Sequence, residues 1–568
     1  MRQAPGGRVT GARTGLELEP TEPGGPLVRD YMLGSTLLAP FFAGHPTDTQ
    51  AFRRKADAVG NRMPARDRQR VRDAYRPTTT VAAAKLERVL AGEGVAVTTG
   101  QQAGLFGGPL YTVFKILSAV RLADALEARL NRPVLAVFWV GSHDHDWVEV
   151  NHAHTVDSDG ALRRIEVAGQ AEPAVAMFDR ILGPPIESAL AELLGLLPDS
   201  AFTPALTELL RASYRPDQSM ASAFADLLHG LLRDFHLALF DPAHPSVWPV
   251  SGPVIGREIA SAETHATLLE STADRLTRAG YQAQVTIATE AANAFLHDKN
   301  GRDRLMRENG GWALRRTKRV LGDEELRRLI RDEPDRFTPN VLLRPIVEST
   351  LIPTVAYVGG PAEVSYFAQI GCLFEAHGIE PPVVVPRHGI TIVEAGVRRV
   401  LDKFSLEPHD FARPFHEVAT RVVRENLPRT VTEPVDNLRV TIEREFATLI
   451  DGAASVDPTL RDWAAGIRNR ILGEIREADR KITAHLRKRS RIELELLRKA
   501  AVNLYPAGAP QERVVSVVPL IARYGPGLLH DVAATMEHRL DGVVAGWTGV
   551  ECGSATGTAD LPLGTGQE

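Results

Sequence analysis

The stretch Val95–Ala153 constrains the fold of this chain more than any other, because strand-like and helix-like patterns alternate within it. It begins with a short apolar run rich in β-branched residues, Val95–Thr99, followed by four glycines in the nine residues Gly100–Gly108. Pro109 then stands where a first helical residue would be, which suits its fixed φ and missing N–H. Apolar residues at helical spacing follow, and Val134–Val140 is fully apolar, as in a parallel strand covered on both faces. The stretch predicts a strand–helix–strand unit.

The glycine-rich loop Gly100–Gly108 follows the first predicted strand, at the edge where open α/β sheets bind ligands. Its glycines would bring bare backbone N–H groups to a helix N-terminus, which suits a phosphate or carboxylate, whereas an ordinary tight turn is the alternative. The spacing matches neither GxGxxG nor GxxxxGK[ST], which argues against a common dinucleotide site or Walker loop. We expect anion binding here, and the candidate binding residues are Gln101, Gln102, Gly104, Gly107, Gly108, Tyr111 and Lys115.

A second polar loop, Gly141–His154, follows the apolar strand and holds four histidines and three acids within twelve residues. Imidazole and carboxylate groups could do acid–base work, hold an ammonium group or ligate a metal, and local pairing at a strand end is the alternative. No cysteine joins the loop and its spacing is not HExxH, so we expect contact with substrate or nucleotide and no metal. The candidate catalytic residues are His143, Asp144, His145 and Asp146, with Asn151 as a binding residue.

The pattern strand–Gly–Gly–Pro–helix recurs later in the chain, at Gly359 and Gly360. Two such loops at one sheet edge could bind two anionic groups, such as a nucleotide phosphate and a carboxylate. Glu363 lies in the first helical turn, where the helix dipole favours an acid, and it could instead hold an ammonium or a ribose hydroxyl. Arg387 follows the last predicted core strand, where it could neutralise developing phosphate charge.

Several long motifs closely resemble the bacillithiol-synthesis cysteine-adding enzyme family, BshC. They begin with TGQQAGLFGGPLYTVFK at 99–115 and FWVGSHDHDWVEVNHA at 138–153. Three later stretches agree in order and character, namely NVLLRPIVESTLIPTVAYVGGPAEVSYFAQI at 340–370, PPVVVPRHGITIVE at 381–394 and NLYPAGAPQERV at 503–514. The resemblance covers most of the chain, from residue 30 to residue 530.

This resemblance implies an α/β fold with a Rossmann-like parallel-sheet core similar to nucleotidyltransferases and class I aminoacyl-tRNA synthetases. The HIGH-type histidine pair of those enzymes is absent from the first loop here, so that comparison extends only to the fold. The family is assigned to the last step of bacillithiol synthesis, which joins cysteine to glucosaminyl-malate. The implied activity is that of a carbon–nitrogen ligase.

Amide formation from a free carboxylate needs activation, because a carboxylate is a poor electrophile. We therefore expect ATP or another nucleotide as cofactor, acting through an acyl adenylate or an acyl phosphate. The alternatives are a non-catalytic protein that binds a nucleotide or metabolite, and a metal-dependent nucleotidyltransferase or hydrolase working at His143–His154. Dense histidines and acids at strand ends argue against the first alternative, and metal analysis discriminates the second.

The length of 568 residues predicts two or three domains. We expect a catalytic core that includes a helical insertion near 155–235, in which Ala283–Ile287 forms a strand and Gln50–Arg76 one charged helix. Apolar residues spaced by three or four predict an antiparallel coiled-coil arm, which favours a homodimer, as the resemblance also implies. The expected boundaries are a disordered leader over 1–26, the core over 27–400, the arm over 401–500, a segment packing back on the core over 501–545 and a disordered tail over 546–568.

Charge and composition exclude several classes of partner. The net charge of −5 gives no basic field for nucleic acid, and no apolar run is long enough to span a bilayer. The two cysteines, Cys372 and Cys552, cannot form a disulfide framework, which fits a reducing compartment. We expect a cytoplasmic protein whose partners are cysteine, glucosaminyl-malate and a second copy of the chain.

Overall fold

The computed structural model of the chain divides into two compact units, which we call the core unit and the arm unit. The core unit comprises Met1–Thr155, Arg164–Ile390 and Val515–Glu568, and the arm unit comprises Val156–Arg163 and Thr391–Val514. Side chains of 429–432 and 483–489 are not described. The structure describes residues 9–21, 24–60, 62–169, 174–308, 310–425, 429–489 and 491–540.

The described part of the core unit is built on a six-stranded sheet with the order β6-β5-β2-β3-β4-β1. All neighbouring strands are parallel except β1, which is antiparallel to β4. Every residue of Val134–Val140 is buried, as expected for a parallel strand covered on both faces. The strands are β1 Tyr75–Pro77, β2 Val95–Gln102, β3 Val134–Gly141, β4 Leu237–Phe240, β5 Thr354–Gly359 and β6 Val383–Pro386.

Two helices follow the glycine-containing loops at the ends of β2 and β5. Helix α1, Leu110–Leu130, follows β2, and helix α2, Pro361–Ala376, follows β5. Pro109 is the residue just before α1, one position earlier than its expected place inside the helix. The other α-helices of the core unit are Pro26–Met32, Thr49–Val59, Ala65–Arg70, Thr80–Ala91, Trp147–Val150, Pro185–Leu196, Thr203–Ser213, Met220–Leu231, Trp248–Ala260, Ala262–Arg278, Asp323–Asp332, Arg344–Leu351, Val518–Tyr524 and Gly527–Ala534.

A second sheet in the core unit is antiparallel and five-stranded in the described residues. Its strands, in spatial order, are Val320–Leu321, Gly311–Leu314, Gly301–Glu308, Ala291–Asp298 and Phe337–Pro339. The predicted strand Ala283–Ile287 is wrong, because the buried side chain of Gln369 takes the place of a neighbouring strand. Its amide accepts from the Val285 N–H at 2.8 Å and donates to the Val285 carbonyl at 3.0 Å.

The single charged helix predicted over Gln50–Arg76 is also wrong. The structure has two helices there, Thr49–Val59 and Ala65–Arg70, followed by a short 3-10 turn and β1. Gly60 ends the first helix, and Pro64 precedes the second. Glycine and proline are strong interrupters of a helix, and here they outweigh the continuous charge pattern.

Residues 9–21 are ordered, although the composition of 1–26 predicted a disordered leader. Val9–Thr10 pairs antiparallel with Glu17–Thr21, and Leu18 is fully buried. The Asp531 carboxylate accepts from the Thr14 N–H at 2.8 Å and from the Thr14 hydroxyl at 2.7 Å. Burial of apolar side chains and these charged hydrogen bonds offset the conformational entropy that this segment loses when it is ordered. The composition alone does not reveal these long-range contacts.

The arm unit is helical, and its two long helices, Arg429–Val456 and Leu460–Arg489, form the predicted hairpin. The turn between them is stabilised by Asp457, whose carboxylate accepts from the Thr459 N–H and hydroxyl, each at 2.8 Å. Its other helices are Ala395–Lys403, Phe415–Glu425, Arg491–Leu504 and Gln511–Val514.

No described helix in either unit has an apolar stretch long enough to cross a membrane. The predicted tail over 546–568 lies outside the described residues.

Candidate active site at the switch point of the sheet

The chain order of the sheet creates a crevice between β2 and β5. From β2 the chain proceeds to β3 and β4 on one side, and it later returns to β5 and β6 on the other side. Open α/β sheets bind their ligands at such a switch point, outside the carboxyl ends of the strands. Gln101 and Gln102 end β2 and Gly359 ends β5, so three predicted residues lie at this crevice.

A buried lysine lies behind the β2 side of the crevice. The Lys115 side chain, on α1, is 1% exposed, and its Nζ is 2.6 Å from Glu363 Oε2. The ammonium also donates to the Gly100 carbonyl and, at 3.3 Å, to Gln101 Oε1. We call Gln101, Lys115, Tyr357 and Glu363 the lysine cluster. It joins the ends of β2 and β5 to the start of α2.

Glu363 is fully engaged within the lysine cluster. Besides Lys115, its carboxylate accepts from the Tyr357 hydroxyl at 2.5 Å and from the Gly360 N–H at 2.7 Å. Burial alone would raise the pKa of Glu363, but Lys115 and these hydrogen bonds hold that pKa below its usual value. The ammonium that Glu363 holds is therefore that of Lys115, where the sequence suggested a ligand's ammonium or ribose.

Sequence reasoning missed an ion pair that supports this cluster. Arg344 forms a salt bridge with Glu348, four residues later on one helix, and Glu348 is buried. The same guanidinium donates to the Tyr357 hydroxyl at 3.0 Å and to the Tyr366 hydroxyl at 3.2 Å. The spacing of four between Arg344 and Glu348 was the available sequence signal, since such residues are neighbours on a helix.

Arg387 and Tyr111 lie on the β5 side of the crevice, where the sequence predicts anion binding. The Arg387 N–H donates to the Gly359 carbonyl at 2.8 Å, and its guanidinium is 5.7 Å from the centre of the Tyr111 ring. Gln101 Nε2 donates to the Tyr111 hydroxyl at 3.1 Å. Arg387 and Tyr111 are half-buried, so a cation and a hydroxyl border the crevice where the two loops meet.

The glycine loop does not present bare N–H groups at its predicted anion-binding positions. The N–H groups of Gly104, Gly107 and Gly108 donate to the Gln102 carbonyl, the Tyr214 hydroxyl and the Leu105 carbonyl. All three glycines are buried, and buried N–H groups need such partners. The left-handed φ values of Gly107 and Gly108, 86° and 67°, serve the turn itself. The arrangement supports the tight-turn alternative.

The second loop places carboxylates beside the end of β2. Gln102 Nε2 donates to Asp144 Oδ2, and at 2.9 Å to Glu149 Oε2. Asp144 Oδ1 accepts from the N–H groups of His145 at 2.7 Å and Asp146 at 3.3 Å. The side chain of Asp144 is 26% exposed and Asp146 is exposed, so acidic groups face solvent at this end of the crevice.

A buried arginine from the second sheet contacts His145 and, together with burial, favours the neutral form of its ring. Arg302 Nη1 is 3.0 Å from His145 Nδ1, and the guanidinium also donates to Thr338 Oγ1 at 2.9 Å and the Pro339 carbonyl at 2.6 Å. Burial lowers the pKa of Arg302 to about 10, so it remains charged. Burial and then Arg302 lower the pKa of His145. No local motif signalled this contact.

Because arginine can only donate, His145 Nδ1 must carry a lone pair, and the proton of the neutral ring lies on Nε2. Nε2 is then the ring nitrogen of His145 that can donate a hydrogen bond. Burial, Arg302 and His297 together hold the pKa of His143 well below its usual value, so it too is neutral.

Asn151 is not brought to the crevice with the other candidates. It is buried, and its Nδ2 donates to Glu166 Oε1 at 3.0 Å, so its side chain stabilises the adjoining strands. The loop histidines do not converge as metal ligands either. Across the described residues, one set of His, Cys, Asp or Glu side chains is close enough to hold a metal, and it lies outside this loop.

The fold and the site define a class of protein: a Rossmann-like α/β protein with a charged crevice at the switch point and a coiled-coil unit. Family models match both parts. Residues 15–388 match the description "Bacillithiol biosynthesis BshC, N-terminal Rossmann-like domain", and residues 390–540 match "Bacillithiol biosynthesis BshC, C-terminal coiled-coil domain". The chain belongs to the BshC family.

Relatives named "Putative cysteine ligase BshC" agree with this assignment. The protein of Koribacter versatilis is 33% identical over 463 residues, covering 81% of this chain and 86% of the relative. That of Salinibacter ruber is 31% identical over 458 residues, covering 79% and 83%. That of Chlorobaculum tepidum is 32% identical over 476 residues, covering 80% and 83%. The predicted family and fold class are confirmed, and the relatives' names favour a ligase over both alternatives.

Proposed function

We propose that this chain is a cysteine ligase that forms an amide between the cysteine carboxyl group and the amine of glucosaminyl-malate. The observation that carries the proposal is the division of charge along the crevice. Asp144, Asp146 and Glu149 lie at one end, and Arg387 lies near the other. Amino-acid and amino-sugar substrates bring ammonium groups to the first end, and phosphate or malyl carboxylates to the second.

Activation of the carboxylate by ATP or another nucleotide completes the proposal. In one route the cysteine carboxylate attacks the α-phosphorus and displaces pyrophosphate, and the amine then displaces AMP. In the other route the cysteine carboxylate attacks the γ-phosphorus and displaces ADP, and the amine then displaces phosphate. Either route suits the cytoplasm, where nucleotide and free cysteine are available. Arg387 would stabilise the negative charge that develops on the leaving group.

We assign different roles to the two loop histidines. His145, with Nε2 protonated, donates to the oxyanion of the tetrahedral intermediate. His143 accepts the proton that the amine loses, directly or through a water molecule. Asp144 and Asp146 hold the amine. Under this assignment His145→Gln retains more activity than His145→Ala because it keeps a donor, whereas His143→Gln loses activity because glutamine is not a base.

The test of the ligase proposal is direct. Purified protein is incubated with ATP, cysteine and glucosaminyl-malate, and thiol product and nucleotide are measured by mass spectrometry. Product with AMP supports the adenylate route, and product with ADP supports the acyl-phosphate route. If neither ATP nor GTP yields thiol product while both substrates are intact, the proposal is wrong.

Replacing Arg302 by Met is expected to move the acidic limb of the pH–rate profile to higher pH. His145 acts in its neutral form, which is populated above its pKa. Arg302 lowers that pKa, so its removal raises it and protonation sets in at higher pH. The measurement is kcat/KM against pH for wild type and variant.

The matched control for this prediction is Arg307→Met, on the same strand, where the guanidinium lies 5.1 Å from the centre of the Trp312 ring. It is expected to leave the acidic limb in place. Because Arg302 lowers the pKa of both histidines, a profile for Arg302→Met that coincides with wild type would show that neither His145 nor His143 is the titrating group.

We further propose that the arm unit forms the homodimer interface. Leu438 and Leu449, eleven residues apart on the helix Arg429–Val456, are 55% and 49% exposed. An eleven-residue spacing returns to the same helix face, so the two leucines form an apolar stripe that suits a second copy of the hairpin.

Leu438→Glu/Leu449→Glu is expected to convert a dimer into a monomer. The glutamates place like charges across the proposed interface, so the mass by light scattering falls from twice 61.9 kDa to 61.9 kDa. Arg439→Glu changes a neighbouring exposed position and should leave the dimer intact. A wild-type protein that elutes as a monomer at micromolar concentration would contradict this assignment.

A further inference from the structure

Three buried side chains of types that can ligate a metal meet inside the core unit, away from the crevice between β2 and β5. Glu258 belongs to the helix Trp248–Ala260, His265 to the helix Ala262–Arg278, and His377 directly follows α2. These residues are 0%, 3% and 3% exposed. One ligand atom from each lies within 4.8 Å of the others. Such a set of polar groups in an apolar interior requires an explanation, since burial without full compensation is costly.

Hydrogen bonding within the protein satisfies this cluster incompletely. Glu258 Oε2 is 2.5 Å from His265 Nδ1 and 3.4 Å from His377 Nε2, so one carboxylate oxygen contacts both imidazoles. His377 Nδ1 has no hydrogen-bond partner among the described groups. This nitrogen is not the one that contacts Glu258, and most buried polar atoms in proteins are paired.

The other oxygen of Glu258 is held separately. Glu258 Oε1 accepts from the N–H and the Nδ2 of Asn293, at 3.2 Å and 2.8 Å. The neighbouring Arg257 donates to the His377 carbonyl at 2.9 Å. Residues behind a metal site commonly orient its ligands in this way. Oε2 therefore remains the carboxylate atom that faces both imidazoles.

We propose that Glu258, His265 and His377 bind a divalent transition-metal ion, with Zn²⁺ preferred. Two imidazole nitrogens and one carboxylate oxygen form a ligand set that Zn²⁺ takes in proteins, with a water molecule in the fourth position. The ion would replace the protons that now lie between Oε2 and the two nitrogens. With metal bonds of about 2.0–2.1 Å, the 2.5 Å contact between Glu258 Oε2 and His265 Nδ1 must lengthen to admit the ion.

The proposed role of the ion is structural. Helix α2 begins at the crevice and ends beside His377, and its sixteen residues span about 24 Å. The site is therefore remote from the reacting groups, and the inference does not rest on the ligase proposal. The ion would fasten two further helices to the end of α2, which carries Glu363 at its other end. This proposal departs from the sequence-based expectation that the protein holds no metal.

The test is metal analysis of untagged full-length protein by plasma mass spectrometry after equilibration with Zn²⁺ and buffer exchange. We expect about one Zn²⁺ per chain, a lower melting temperature after treatment with a chelator, and recovery on adding Zn²⁺. Replacement by Co²⁺ should produce the visible absorption of a four-coordinate ion. Protein that retains no Zn²⁺ and shows no Co²⁺ absorption would overturn the proposal.

Variants of the proposed ligands and of the loop histidines test where the ion binds. His265→Gln and His377→Gln are expected to lose it, Asn293→Ala to bind it about 10–100-fold more weakly, and the double variant His143→Gln/His145→Gln to keep it. Loss from the loop variant with retention in His377→Gln would place the metal at the loop and contradict the proposal. If His265→Gln does not fold, His377→Gln and the Co²⁺ spectrum of wild type decide the question.

Discussion

Replacing Lys115 by Met is expected to lower the free energy of unfolding by about 3–5 kcal/mol, because it leaves the Glu363 carboxylate buried without its counter-charge. The two side chains are 1% and 21% exposed and 2.6 Å apart. The same change frees Gln101 and the Gly100 carbonyl from the ammonium, so ligase turnover should also fall sharply. Urea unfolding at pH 7, together with product assays, measures both effects.

A double-mutant cycle separates the stability contributed by the Lys115–Glu363 ion pair from the other effects of replacing Lys115. Lys115→Met/Glu363→Leu should be more stable than Lys115→Met, since it removes the unpaired carboxylate along with its partner. The exposed pair Arg72–Glu87 provides the comparison, and Arg72→Met should lower stability far less than Lys115→Met. Equal costs for Lys115→Met and Arg72→Met would show that the lysine cluster contributes no special stability.

The cost of Lys115→Met should also depend on pH. In wild type the pKa of Glu363 is lowered, so its contribution to stability is present above the unfolded-state carboxyl pKa of about 4.3 and is lost as pH falls through the lower folded-state pKa. In the variant, protonation removes the uncompensated charge. The difference in stability between wild type and variant should therefore shrink in acid.

The change Gly141→Ala is expected to reduce kcat/KM by about 100-fold, because displacing catalytic groups by about 1 Å has effects of that size. A Cβ at Gly141 would lie 2.6 Å from the Gln101 carbonyl oxygen and 2.8 Å from Gln102 Cα. These are backbone atoms of the neighbouring strand, so the ends of β2 and β3 must separate. Gln102 and Asp144 would then lose the contact that orders the acidic end of the crevice. Steady-state kinetics and urea unfolding measure the change, with a stability cost of about 1–3 kcal/mol.

Gly195→Ala is the matched control for Gly141→Ala. Gly195 lies on the helix Pro185–Leu196, and a Cβ there would meet nothing within 4 Å. Alanine favours a helix over glycine, so we expect unchanged turnover and slightly higher stability. Normal turnover in Gly141→Ala would contradict the proposal that the ends of β2 and β3 form the acidic end of the active-site crevice.

Patterns confined to short stretches were predicted well. The unit β2–α1–β3 and the helical hairpin follow from apolar spacing, because local periodicity reports which face of an element is buried. The strand at Ala283–Ile287 failed for the converse reason. Its apolar alternation is real, but its backbone bonds go to Gln369, which comes 84 residues after Val285.

In the candidate site, too, some features could be predicted from local sequence and others depend on residues far away in the chain. Gln101, Gln102, His145 and Asp144 could be placed at strand ends from the sequence, because the carboxyl ends of parallel strands share one edge. The glycines could not be judged in this way. The Gly107 N–H donates to the hydroxyl of Tyr214, 107 residues later in the chain, whereas the N–H groups of Gly104 and Gly108 donate to the nearby carbonyls of Gln102 and Leu105.

By itself, the sequence determined the family, the sheet-and-helix core and the coiled-coil arm, since these depend on long motifs and on periodicity between near neighbours. The tertiary structure alone decided the electrostatics of the crevice. Lys115 and Glu363 are 248 residues apart in the chain, and His145 and Arg302 are 157 apart. The protonation state and hydrogen-bonding role of each such group depend on which distant charge reaches it in the interior, where water no longer screens the interaction.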